Sequence, residues 1–389
     1  MRFWHKGIDG VHAFYVNGLL RSLFMSLTTI FVPIFIYGLA KSIWPVIWFF
    51  VVQRAFMIFI ALPLSKIIEK IGFRKSISLS VIFLMGYTVA LMLAAQNINW
   101  LWVAAMCGGI QTVLYWVSRD SALSQDIDSK NMGTKMGYVT VLENIAELLG
   151  PFAGGAIVVF FGYQYLFVSA LVILVVSTIP LWWMPPHAHK NGVSLGGFWY
   201  FLSSGRYLHQ VVANFGSAMN DYGNGVIWPL LLFFQGINNE KLGAIYSVVA
   251  VVTIVVQYVS SKWFDRLRAR KDYADEGVYG FASVGVAASW LVRIFASGIG
   301  QILPIDIGRQ IFSAVYMNFY SDYLHLGGKR MGSIAYWVYM EMIYSFGTIF
   351  IFGVMAIGVY FGVWKEMVLS TIALWSLVTI VIARESNMR

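Results

Sequence analysis

Charge is scarce in this chain: Asp, Glu, Lys and Arg make up 12 % of its 389 residues, against 59 % hydrophobic. A soluble domain carries about twice that charge, roughly 25 %, so a water-soluble globule is excluded. Cysteine is all but missing. Cys107 stands alone inside an apolar run, which rules out an intrachain disulfide or thiolate metal site and leaves it as a small packing hydrophobe. Enzyme signatures are lacking too: there is no HExxH helix, no Asp-rich metal pair and no Walker lysine loop. These absences argue against a polytopic membrane enzyme and against direct ATP-driven pumping. His187 and His189 sit on a loop with no neighbouring acid or thiol, a poor metal site. No catalytic residue, metal or cofactor is expected.

What the chain has instead is a series of long apolar runs. Bounded by charge or turn residues, they predict helices over 12–38, 43–64, 76–95, 99–122, 136–161 and 163–185, then 208–234, 240–261, 277–299, 302–325, 332–360 and 363–383. Each approaches the ~20 residues needed to cross the hydrocarbon of a bilayer. The net charge of +9 does not call for nucleic acid, because the bases collect in alternate connections. Lys66, Lys70, Arg74, Lys75, Lys262, Arg270 and Lys271 lie in one set, whereas the opposite set holds only Lys41, Lys241 and Lys365. That asymmetry predicts an integral protein of the cell (inner) membrane with both termini cytoplasmic. The first apolar segment is too long for a cleavable signal peptide.

One half of the chain repeats the other. SKIIEKIGFRK at Ser65 to Lys75 returns 196 positions later as SKWFDRLRARK at Ser261 to Lys271, and Pro33 returns at Pro229 with the same offset. Met136-Gly137 opens one helix as Met331-Gly332 opens its counterpart. The expected division is an N-terminal six-helix bundle over 1–185, a cytoplasmic linker over 186–207 and a C-terminal bundle over 208–389. The linker carries Phe198, Trp199, Tyr200 and Phe201, rings that favour the headgroup level.

These residues resemble the major facilitator superfamily, and the resemblance covers essentially the whole chain. The loop pattern of that family, a small residue, an acid, a base, Gly and two bases, is met by Ser65, Glu69, Lys70, Gly72, Arg74 and Lys75. The second copy has Ser261, Asp265, Arg266, Arg270 and Lys271, with Arg268 where Gly would fall. The fifth helix carries Gly150-Pro151-Phe152-Ala153-Gly154-Gly155, similar to a GPxxGG pattern associated in the family with proton-driven exporters. The sugar-porter signature is missing from the end of helix six, and the peptide-porter ExxER from helix one. The resemblance implies an all-α integral membrane protein of twelve transmembrane helices in two pseudo-symmetric six-helix bundles. It further implies a monomeric secondary active transporter with a small organic substrate, protons and the lipid bilayer as partners, and no nucleic acid. A facilitator or importer of the same fold, or a receptor that transports nothing, remains the alternative.

In such a fold Glu69 can pair with Arg119 at the end of helix four, and Glu69, Arg74, Arg119, Asp265 and Arg266 are the expected gating residues. Gly150, Pro151, Gly154 and Gly155 are expected to pack the bundles together. Ionisable groups at membrane depth are costly and should face a cavity or a partner. They are Arg21, Arg54, Glu143, Glu147, Asp221, Arg293, Asp306, Arg309 and Glu341. Glu143 and Glu147 lie within about 60° of Gly150 and Gly154 on one helix face, and two carboxylates so placed cannot both ionise cheaply. They are the first proton-coupling candidates, with Glu341 as another. Asn17, Arg21, Arg54, Gln111, Tyr115, Asn214, Asp221, Asn224, Asp306 and Arg309 are expected to line the substrate cavity, Asp306 and Arg309 satisfying each other. Arg293 is expected to snorkel to the interface, and helices three, six and twelve to stand outside the cavity. Arg21 and Arg54 suit an anion, Glu143, Glu147 and Asp221 a cation; the sequence does not choose.

Overall fold

The computed structural model describes residues 7–125, 132–183, 192–269, 275–331 and 333–379. Each of the twelve expected runs holds a helix among the described residues, the ninth ending at Val292 rather than at 299. The first six are α1 (Gly7–Thr28, resumed as Val32–Ala40), α2 (Trp44–Ile71), α3 (Phe73–Ala94), α4 (Trp100–Thr112, continued through Val113–Val117 and Ser118–Gln125), α5 (Met132–Phe160) and α6 (Tyr163–Thr178, tightening into Ile179–Trp183). After a short helix over Leu195–Ser203 come α7 (Leu208–Tyr222, then Gly223–Ile227 and Trp228–Phe234), α8 (Asn239–Ala269), α9 (Asp275–Val292), α10 (Ile299–Met331), α11 (Ser333–Phe361) and α12 (Trp364–Val378).

By length and hydropathy alone α1 to α4, α6, α8 and α11 are able to cross a membrane, and α5 and α9 add the shorter apolar stretches Asn144–Phe160 and Gly277–Val292. The other helices include α7 and α10, which carry polar residues into the interior. Large apolar side chains such as Phe59, Trp182, Phe281 and Phe295 are 70–80 % exposed, as a lipid-facing surface requires. The breaks have local causes. α1 interrupts at Thr29 and restarts with Pro33 in the first turn of its second half, where a missing N–H costs nothing. α4 and α7 each widen by one π turn, at Val113–Val117 and Gly223–Ile227. Such bulges concentrate at functional sites.

Helix contacts repeat across the halves. α5 packs most extensively on α8, and α2 on α11; exchanging each helix for the one six places along turns the first contact into the second. Within the halves, α1 on α5 matches α7 on α11, and α3 on α4 matches α9 on α10. This is the twofold arrangement of two six-helix bundles, with the seam formed by α2, α5, α8 and α11.

The fifth-helix motif faces two ways, which corrects the expectation that all four of its residues join the bundles. A Cβ on Gly150 would strike Ser26 and Leu27, and one on Gly154 would strike Leu27 and Phe31, all on α1 of the same bundle. Gly155 instead meets the Asn239 carbonyl of α8, and the Pro151 carbonyl meets Gly243 of α8. Positions four apart share a face, so 150 and 154 take one neighbour while 151 and 155 take the next.

The short linker helix is capped by Ser194, whose Oγ accepts from the Gly197 N–H at 3.0 Å. Phe198 and Phe201 are buried against Tyr207, Tyr336 and Tyr339, while Leu195, Trp199 and Tyr200 are exposed. The run Gly192-Val193-Ser194-Leu195-Gly196 has GxSxG spacing, but its serine caps a helix, and no strand occurs among the described residues.

Candidate functional site: a cavity on the seam

Two adjoining lobes of about 350 and 450 Å³ lie between the bundles and share Met25, Thr29, Trp116 and Gly225 in their walls. Both halves of the chain line both lobes. In the first, Arg54 of α2 reaches across the seam. Its Nε donates to the Tyr222 hydroxyl at 2.6 Å, its Nη1 stands 3.9 Å from Glu341 Oε2, and its Cζ lies 5.1 and 5.2 Å from the rings of Tyr222 and Tyr344. Tyr344 in turn donates to Asp221 at 2.8 Å. Gln111 and Gln53 complete the polar wall.

The second lobe holds Arg21, Arg119, Arg293 and Arg309, with Glu147 and Asp306. Arg21 is 4 % exposed. It donates to Ser80 at 3.2 Å and to Gln111, and its Cζ rests 3.4 Å over the Tyr115 ring. Arg119 pairs with Asp120 at 3.3 Å and lies over Trp116. Arg293 does not snorkel: it is 2 % exposed and packs between Trp228 and Trp290, with its Nε and Nη2 at 2.9 and 2.6 Å from Asp306 Oδ1. The second oxygen of Asp306 accepts from Trp228 Nε1 at 3.0 Å, and Arg293 Nη1 donates to Asn224 at 2.9 Å. Asp306 is thereby taken, so the expected Asp306–Arg309 pair is not the one formed. Arg309 donates only to Gln310, at 2.9 Å, among the described residues.

The family model of the Major Facilitator Superfamily matches residues 14–352. The chain belongs to the major facilitator superfamily. Solved superfamily structures share its fold throughout. A single-residue variant of the E. coli fucose:proton symporter FucP aligns with a TM-score of 0.67 at 14 % identity, over 97 % of this chain and 98 % of that one. The human organic anion transporter MFSD10 gives 0.68 at 13 % over 96 % and 99 %. FucP in its outward conformation gives 0.69 at 13 % over 97 % and 98 %. No curated protein matches the chain in sequence.

Within this superfamily fold, Arg21, Arg54, Gln111, Tyr115, Asp221, Asn224, Asp306 and Arg309 line the two lobes, joined by Glu147 and Glu341. Asn17 and Asn214 do not. Asn17 donates to the Ser177 carbonyl at 2.7 Å, where α6 is about to tighten, and Asn214 donates to the Met340 carbonyl at 2.6 Å while accepting from Tyr320. Both are buried amides that satisfy backbone or hydroxyl groups of a neighbouring helix. α3 is also less remote than expected, since Leu84 and Tyr87 wall the first lobe. Glu69 and Arg74 flank the α2–α3 turn, half-buried. The side chains of Glu143, Asp265 and Arg266 lie outside the described residues. Sequence reasoning missed Tyr222, Trp116 and Asp120. Trp116 lies one turn before Arg119 and under its guanidinium, so helical spacing from that charge would have found it. Asp120 is the next residue in the chain, and its contact with Arg119 is not one that helical spacing predicts.

Proposed function

We propose that this superfamily member is a proton-coupled exporter of a small organic molecule, working as a monomer in the cell membrane with both termini cytoplasmic. Segments 1–185 and 208–389 rock about the central cavity and the linker over 186–207 joins them. The observation that carries this reading is the Arg54–Glu341 contact. It links α2 of one bundle to α11 of the other at 3.9 Å, so a proton arriving on Glu341 removes one of the charges that join the halves. A proton and a change of shape are then the same event. Glu147, in the wall of the second lobe, and Glu143 are the further proton sites in this reading. Glu69, Arg74, Arg119, Asp265 and Arg266 gate the end that carries the basic loops.

The test is transport into inside-out vesicles acidified within, using a panel of radiolabelled small organic acids, bases and neutral compounds. At least one compound accumulates only while the pH gradient stands, and Glu341→Gln removes the gradient dependence. Equal flux with and without the gradient marks a facilitator instead, and accumulation under the opposite gradient marks an importer.

A further inference from the structure

The second lobe contains more guanidinium than it has carboxylate to match. Four arginines and two acids line it, and two of the arginines are already committed: Arg293 to Asp306 at 2.6 Å and Arg119 to Asp120 at 3.3 Å. Arg21 and Arg309 are left; Glu147, the other acid in the wall, has contacts of its own. Both arginines are buried, at 4 % and 9 % exposure, and among the described residues neither has a carboxylate within ion-pair distance. Arg309 is the more telling of the two. Of the five N–H donors of its guanidinium, one is used on Gln310, and its Nε has no partner at all. The acid one turn before it on α10, Asp306, is saturated by Arg293 and Trp228.

A buried cation left short of acceptors inside a cavity is costly unless a ligand completes it. The two arginines come from opposite bundles, Arg21 from α1 and Arg309 from α10, so one ligand held by both would bridge the halves. Beside polar residues such as Ser26, Thr29 and Asn224, the wall carries the flat or oily side chains of Tyr115, Trp116, Tyr246, Ile245 and Val249. Tyr115 lies against the Arg21 guanidinium, which limits its rotation. We infer that the second lobe is an anion subsite, in which Arg309 and Arg21 hold the carboxylate of an aromatic organic acid and Trp116 and Tyr246 take its ring. This deepens the transporter reading and rests on it for the route by which the acid enters and leaves.

Binding is measured on the full chain in nanodiscs made of phosphatidylcholine alone, so that no anionic headgroup competes. The probes are benzoate and 2-naphthoate beside their uncharged amides, titrated calorimetrically with no pH gradient. At least one acid binds tenfold or more tightly than its amide. Arg309→Gln and Arg21→Gln each bring that acid down to the affinity of the amide, while Arg309→Lys, which keeps the charge, retains part of the preference. If the amides bind as tightly as the acids, if neither acid binds, or if Arg309→Gln leaves the preference intact in a chain that still unfolds cooperatively, the anion subsite is wrong. The preference needs no gradient. Acid selectivity without gradient-driven flux would therefore sink the proton-coupled reading alone, and gradient-driven flux of neutral or basic compounds without acid selectivity would sink this one alone.

Discussion

Arg293 and Asp306 form an ion pair in which Nε and Nη2 of the arginine both reach Oδ1 of the carboxylate, at 2.9 and 2.6 Å, between the rings of Trp228 and Trp290. The pair ties α9 to α10 and, through Asn224 and Trp228, to the π turn of α7. Removing one member strands the other. Asp306→Asn is expected to destabilise the protein by about 3–5 kcal/mol, the usual cost of breaking a buried pair from one side, whereas Arg293→Met with Asp306→Leu should recover most of the loss. Thermal unfolding of the purified variants in detergent checks this; a double variant as weak as Asp306→Asn would show that the charges themselves are needed.

Close helix approach at the seam gives a second expectation. Gly243 of α8 lies against the Pro151 carbonyl, with no room for a methyl group, whereas a Cβ at Gly38 of α1 would meet nothing within 4 Å. Gly243→Ala should therefore cost about 1–3 kcal/mol through overpacking. Gly38→Ala should be neutral or stabilise by up to about 1 kcal/mol, because alanine loses less backbone entropy in a helix. Unfolding midpoints measured side by side decide the matter: equal shifts would mean that α8 moves aside freely.

The twelve helices were legible because each is a long apolar run, and the duplicated basic loop announced the twofold. The cavity charges were legible as costs, since Arg21, Arg54, Asp221 and Glu341 have no business in hydrocarbon without a partner. Their pairing was not. Asp306 and Arg309 lie at ideal helical spacing, yet Asp306 is taken by a residue thirteen positions earlier, just past the end of α9. No periodicity encodes that contact. The same limit explains Asn17 and Asn214, whose polar character predicted the cavity but whose partners are the Ser177 and Met340 carbonyls.

Tyr339 anchors the linker helix by accepting from the Ser194 N–H at 3.2 Å and donating to the Ser194 carbonyl at 2.8 Å. Tyr339→Phe keeps the ring contacts with Phe198 and Phe201 and loses both hydrogen bonds, worth about 1 kcal/mol each. Amides of Gly197 to Phe201 should then exchange roughly tenfold faster or more, while those of α2 and α8 keep their rates. Uniform acceleration across the chain would instead mark a global loss of stability.

Gly72 makes the α2–α3 turn with φ +82° and ψ 164°, while its N–H closes α2 on the Ile68 carbonyl at 2.9 Å. That combination of angles is essentially confined to glycine. In the second copy of the loop the corresponding residue is Arg268, and there α8 runs on as helix to Ala269. The position that turns the chain in the first copy is helix in the second. Gly72→Ala should cost about 1–3 kcal/mol in backbone strain without touching the cavity. It should lower the unfolding midpoint in detergent and leave the affinity for 2-naphthoate within twofold of the unchanged protein; a midpoint that does not move would mean that the turn relaxes into another conformation at no cost.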